Sequence, residues 1–124
     1  MNVILGVMLG ASLGALLRWW LSVKFNHVSE HLFIGTLLAN ILACFLMGYF
    51  LGYEQSGAII NGAVKLAFLT GFLGSLSTFS TFILEIHGHI AMKEWVKLIL
   101  GFNLQIVLGL LSFYFAKVLA GSYH

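Results

Sequence analysis

The 124-residue chain has no proline, a single cysteine, and only six Lys/Arg and four Asp/Glu residues. Each scarcity excludes something. A soluble domain carries about 25% charged residues, and the 8% found here cannot coat a water-facing surface. Cys44 alone cannot form a disulfide within the chain, and it is silent about redox compartment. A net charge of +2, scattered along the sequence, supplies no basic patch for nucleic acid. No nucleotide-binding motif is present, and no nucleophile with an adjacent base can be assembled, so an enzyme is not expected.

What the chain has is apolar length. Hydrophobic residues make up 60% of it and the mean hydropathy is +1.02. Residues 1–17, 31–53, 66–84 and 98–116 contain no charge at all. A helix rising 1.5 Å per residue needs roughly 20 apolar residues to cross a hydrocarbon core of about 30 Å. Long apolar runs without period-2 alternation point to helices rather than a barrel. The expectation is an all-α integral membrane protein, one domain over residues 1–124. Its four spans fall at about 3–23, 32–53, 63–84 and 96–119, with polar segments at about 24–31, 54–62 and 85–95. The first window lacks a basic start and an Ala-x-Ala site, and is too long for a cleavable signal peptide. With the amino terminus inside, the inner segments hold Lys65 and Lys117, and the outer ones hold Lys24, Lys93 and Lys97, with Arg18 near its helix end. So small an asymmetry suits either a chain that inserts both ways up or a single orientation with a weak signal.

Polar residues inside the spans carry the functional clues. Gly6, Gly10 and Gly14 recur every four residues with Arg18 on the same stripe. Small residues so spaced form packing seams between membrane helices. Arg18 can snorkel to headgroups or face a wet vestibule that attracts anions. Thr36, Asn40, Cys44 and Gly48 repeat the spacing in the second span, and Asn40 lies near the middle of a charge-free run. Its amide needs partners that lipid lacks, which a neighbouring helix or a pathway would supply. In the third span, Ser75, Ser77, Thr78, Ser80 and Thr81 follow Gly71 and Gly74. Five hydroxyl residues after two glycines predict a departure from regular helix, tolerated at membrane depth only in protein or beside a wet cavity. Phe79 and Phe82, three residues apart, are expected on one face. Ring edges are positive and suit a small desolvated anion, although phenylalanines also pack on lipid. Gly101, Gln105 and Gly109 share a fourth-span stripe with Ser112 close by, and Gln105 is its best lining candidate. The pairs His27/His31 and His87/His89 invite a metal reading, but no cysteine or carboxylate cluster accompanies them. Glu54 and Glu85 are placed at helix ends, leaving no acidic residue in the membrane interior.

Three segments together resemble the Fluc (CrcB-type) family of small bacterial fluoride channels: Gly14-Ala15-Leu16-Leu17-Arg18-Trp19; Gly35-Thr36-Leu37-Leu38-Ala39-Asn40, followed by Phe45 and Gly48; and Gly71 to Phe82 with its Thr-Phe-Ser-Thr-Phe run. Length, helix number and helix order match over the whole chain. The resemblance implies a fluoride-selective passive channel in the bacterial plasma (inner) membrane, conferring fluoride resistance. It also implies an antiparallel, dual-topology dimer with two pathways. In that pattern Phe79 and Phe82 present ring edges to fluoride, Asn40 donates amide hydrogens, Ser80 and Thr81 supply hydroxyls, and Arg18 stands at the vestibule. Gln105 and Ser112 fall in the fourth-span track. Gly74 and Ser77 match positions whose backbone carbonyls, from both subunits, hold a structural sodium ion. Ser75 and Ser77 depart from the family's usual glycine and threonine, and Ala43-Cys44 from its common Gly-Ser. Carbonyl ligation is indifferent to those side chains. Some members require a sister subunit, so a heterodimer stands beside the homodimer. Two other readings compete: a proton-coupled small multidrug transporter, which needs a membrane glutamate that the first span lacks, and a non-conducting assembly subunit.

Overall fold

The computed structural model describes residues 2–26 and 34–122; His27 and His31 lie outside them. It is all helical, with four helices long and apolar enough to cross a membrane. The spans are Asn2–Phe25, Ile34–Gln55, Gly62–Ala91 and Trp95–Ser122. Together they make a multi-pass membrane protein.

The burial pattern is that of a protein dissolved in lipid. Leu9, Leu13, Leu16, Leu110, Leu111 and Val118 face outward, while the core is narrow: Leu21, Ala39, Ala43, Leu73 and Leu76. With no hydrophobic drive between helices in lipid, close backbone approach does the packing. A Cβ at Gly10 would meet the backbone of Ala67 and Phe72, and one at Gly14 the Phe72 carbonyl and the Ser75 hydroxyl. The glycine stripe of the first span is therefore its seam with the third. Gly48 likewise rests against the Phe113 carbonyl, joining the second span to the fourth. At the first connection, the side chain of Asn26 accepts hydrogen bonds from the Gly35 and Thr36 backbone N–H groups at 2.6 and 3.3 Å, capping the second span.

The third span is irregular. Gly62–Leu66 is α-helical, Ala67–Leu73 widens into a π-helix, and Gly74–Leu76 returns to α geometry. The chain then leaves the helix and re-enters it at Ser80–Ala91.

Two expectations need correcting here. The third span does not stop near residue 84 but continues to Ala91, so His87-Gly88-His89 is helical rather than loop. Glu85 is accordingly not at a helix end; it sits mid-helix and half-buried. Polarity suggested a loop, yet the bundle takes in His89 while His87 stays exposed: His89 is buried, with Nδ1 3.9 Å from Glu94 Oε2. The helix ends where Lys93 adopts φ 56°, with the Glu94 N–H donating to the His89 carbonyl at 2.8 Å.

Candidate functional site

The interruption of the third span organises the site. Leu76 is its last helical residue before the gap, and Ser77 is extended at φ −80° and ψ 152°. In an unbroken helix the Thr78 N–H would bond the Gly74 carbonyl, and the Thr81 N–H the Ser77 carbonyl. Instead the Thr78 N–H donates to Asn40 Oδ1 at 2.8 Å, and the Thr81 N–H to Thr78 Oγ1 at 3.2 Å. The carbonyls of Gly74 and Ser77 thereby lose their regular helical partners.

Asn40 holds the gap open from the second span. Its Nδ2 donates to the Thr78 carbonyl at 3.2 Å and to Gln105 Oε1 at 3.0 Å. One amide thus joins three spans. The hydroxyls divide the rest of the work. Ser75 and Ser77 donate to the carbonyls of Phe72 and Leu73, at 3.1 and 3.0 Å. Thr78 caps the second half of the span and lies 3.4 Å from the exposed Ser80 hydroxyl. This is how a membrane helix can break: freed backbone groups find side-chain partners.

The two phenylalanine rings lie beside each other, as their spacing led us to expect, but differ in burial. Phe82 is 7% exposed and packs on Phe102 at 6.0 Å, whereas Phe79 is 74% exposed. Phe79 is the N-cap of the resumed helix, in αR geometry, and its carbonyl accepts from the Ile83 N–H at 2.9 Å, so the i, i+3 relation holds across the pair. Their ring centroids are 6.1 Å apart and tilted by 53°.

Cavities flank the gap. One of about 270 Å³ is lined by Arg18, Trp19, Ser22, Thr36, Thr78 and Thr81, a cation among hydroxyls. Arg18 Nε is buried without a hydrogen-bond partner, as is Thr36 Oγ1. Thr81 also lines a second cavity, of about 330 Å³, with Asn26, Glu85, His89 and Glu94. A third, of about 20 Å³, lies between Phe82, Glu85, His89, Gly101 and Gln105. That is room for about one water. On the opposite side, Gly74 and Ser77 border a cavity of about 180 Å³ with Ala43, Cys44, Met47 and Phe113.

Of the residues singled out in the sequence, Asn40, Gln105 and the backbone beside Phe79 meet directly, Phe82 and Gln105 share a small cavity, and Arg18 and Thr81 share another. Ser112 is occupied elsewhere: its hydroxyl donates to the Ile41 carbonyl at 3.2 Å, tying the fourth span to the second. Sequence reasoning counted Thr78 only as one of five hydroxyl residues, yet it carries four of the contacts at the gap. It also misplaced Glu85, whose Oε1 is buried without a well-formed hydrogen bond although the Thr36 hydroxyl lies beside it. Among the described residues no three metal-ligating side chains converge.

The architecture defines a class: a four-span membrane protein whose third span is parted around an amide pin, with hydroxyl and aromatic groups at the gap. The chain belongs to the CrcB family, whose model, described as "CrcB-like protein, Camphor Resistance (CrcB)", matches residues 5–117. It is 37% identical over 120 residues to the fluoride-specific ion channel FluC of Nitratiruptor sp., covering 95% of this chain and 91% of the relative. It is 41% identical over 95 residues to the FluC of Haemophilus ducreyi, covering 77% and 72%. With FluC 1 of Yersinia pestis the identity is 40% over 85 residues, covering 68% and 67%.

Proposed function

We propose that the chain is a fluoride-selective passive channel of the bacterial inner membrane that lets cytoplasmic fluoride out. The observation that carries this reading is the joined amide pair of Asn40 and Gln105, held at a broken span beside the buried Phe82 ring. Neutral hydrogen fluoride enters a cell from acidic surroundings, dissociates, and leaves the anion trapped. The membrane potential then drives it out with roughly 2.3 kcal/mol per charge per 100 mV. No pump is needed.

Selectivity arises from replacing fluoride's hydration with fixed contacts in a narrow passage. The cavity at Arg18 concentrates anions before the gap, and the Thr81 hydroxyl leads onward. Asn40 and Gln105 form a closed amide pair at rest. An arriving anion takes a donor from that pair, and the Phe79 and Phe82 ring edges replace further waters. Ser80 stands as a secondary hydroxyl of the path, and Ser112 would join it only by giving up its hydrogen bond to the Ile41 carbonyl.

The working unit in this reading is an antiparallel, dual-topology homodimer. The outward-facing Phe79 supports it, since the ring edge has no anion to meet unless a second copy encloses it. The carbonyls of Gly74 and Ser77, released from helical bonding, suit a hard cation: two from each copy would hold a sodium ion at the dimer centre. That ion would supply fixed positive charge and a tie between the copies.

The test is flux. Liposomes holding this one purified chain are expected to release fluoride, read by electrode, and to retain chloride. Phe79→Ile, Phe82→Ile and Asn40→Asp are each expected to cut the fluoride rate sharply. Unchanged rates in all three would remove this pathway, and inactivity of the purified chain would point to a sister subunit.

A further inference from the structure

The buried Phe82 is met by two rings, Phe79 of its own span at 6.1 Å and Phe102 of the fourth span at 6.0 Å. The planes of Phe82 and Phe102 differ by 34°, closer to stacked than to edge-on. Phe102 stands outside the small cavity that Phe82 shares with Gly101 and Gln105, and it is 46% exposed on the outer surface. Among the described residues its ring pairs with Phe82 alone. Anything it does for an anion is therefore done through Phe82.

The orientation of Phe82 matters because a benzene ring carries two electrostatic signs, a negative face and a positive edge. A quarter turn of the ring exchanges attraction for an anion with repulsion. The rotamer does not settle this. The outer torsion of phenylalanine is broad, so neighbouring atoms fix the ring plane. A near-parallel ring does so well, since turning Phe82 would give up that contact or drive an edge into it. The fourth span also places the amide. Phe102 and Gln105 are three residues apart on the unbroken helix Trp95–Ser122, hence on one side of it. Gln105 Oε1 accepts from Asn40 Nδ2 at 3.0 Å, and Gln105 and Phe82 border a cavity with room for about one water. One side of one helix thus sets both the amide and the ring beside that space.

We infer that Phe102 is the positioning residue for this ring, holding the plane of Phe82 so that an edge, not the face, meets fluoride. The inference rests on the fluoride-channel reading and extends it to a residue off the pathway. Removing the Phe102 ring weakens conduction in channels that are otherwise whole. The rest of Phe102 faces outward, and an aliphatic side chain there keeps that surface apolar.

The experiment is single-channel fluoride current through the purified chain in planar lipid bilayers. A merely structural role for Phe102 changes how many channels are found; a positioning role changes the current through each. Phe102→Leu is expected to lower the unit current about three- to tenfold, the weight of one aromatic pair. Phe102→Tyr, which keeps the ring, is expected to leave it near normal. Phe115→Leu, on the same helix but packed against Phe45, is the control and should keep full unit current. If Phe102→Leu gives no channels, Phe102→Met takes its place, with similar bulk, no ring and the same expected loss. Full unit current in either ringless variant overturns the inference. So does a matching loss in Phe102→Tyr or Phe115→Leu, and so does a failure of both ringless variants to form channels. Full unit current in Phe82→Ile takes the ring out of the path, and the role of Phe102 with it, while conduction stands. No fluoride current from the unmodified chain overturns the channel reading as well.

Discussion

Asn40 does two things that separate substitutions can pull apart. Its oxygen accepts from the Thr78 N–H and so maintains the gap; its nitrogen donates to Thr78 and Gln105 and is the group an anion would borrow. Asn40→Asp keeps the acceptor and loses the donors. We expect it to fold while fluoride flux drops about ten- to a hundredfold, the equivalent of one hydrogen bond to a charged group. Asn40→Ala loses both functions. It leaves the Thr78 N–H and carbonyl unpaired at about 1–3 kcal/mol each, so thermal unfolding in detergent should come several degrees earlier than for Asn40→Asp. Equal melting temperatures for the two variants would show that Asn40 does not pin the break. Gln105→Leu is predicted to slow flux while leaving stability nearly unchanged, because Gln105 meets Asn40 but no backbone group at the gap.

At the scale of elements, the third span is two half-helices, each closed by its own hydroxyls. Thr78 Oγ1 is the cap of the second half. Thr78→Val preserves shape and removes that acceptor, which predicts a loss of about 1 kcal/mol in unfolding measurements and increased amide exchange at Thr81. Ser80→Ala is the matching control, since among the described residues the exposed Ser80 hydroxyl reaches only Thr78. The first half-helix is placed by the glycine seam. Gly14→Val drives a side chain into the Phe72 carbonyl and the Ser75 hydroxyl, so this variant is expected to give no monodisperse peak on size exclusion. Gly121→Val, where a Cβ meets nothing, should be tolerated. The seam was readable from the four-residue spacing alone, as was the break, from the cluster of hydroxyls. The unequal burial of Phe79 and Phe82 was not. Residue spacing predicts which rings meet, not how much of each a neighbouring helix covers, here Phe102 of the fourth span over Phe82.

At the scale of the molecule, a single copy leaves its most distinctive groups facing outward: the Phe79 ring and the exposed Gly74 beside the extended Ser77. A second copy set antiparallel would cover them, and the sodium ion proposed between the released carbonyls would help to hold it. Purification with choline in place of sodium is therefore expected to lower the dimer fraction and the fluoride flux together, both recovering when sodium returns. A dimer indifferent to sodium would remove that ion from the account.

Lipid as a solvent leaves the sequence little freedom: every span must be long, apolar and helical, so span number and class could be read from runs of uncharged residues. The packing seam and the weakened third span were legible for a similar reason, each being a local pattern with a local cause. Glu85 and His89 were different. Whether a polar residue near a span's end lies in a loop or inside the bundle depends on what the opposite helix offers it, here Glu94 and the cavity beside Gln105. The same holds for Thr78, whose importance comes from an asparagine 38 residues away. Chain chemistry alone decided how many segments are long and apolar enough to cross a membrane, though not where the third one ends. Only the folded bundle decided which backbone groups are released, because a hydrogen bond between distant residues has no signature in either one's neighbourhood.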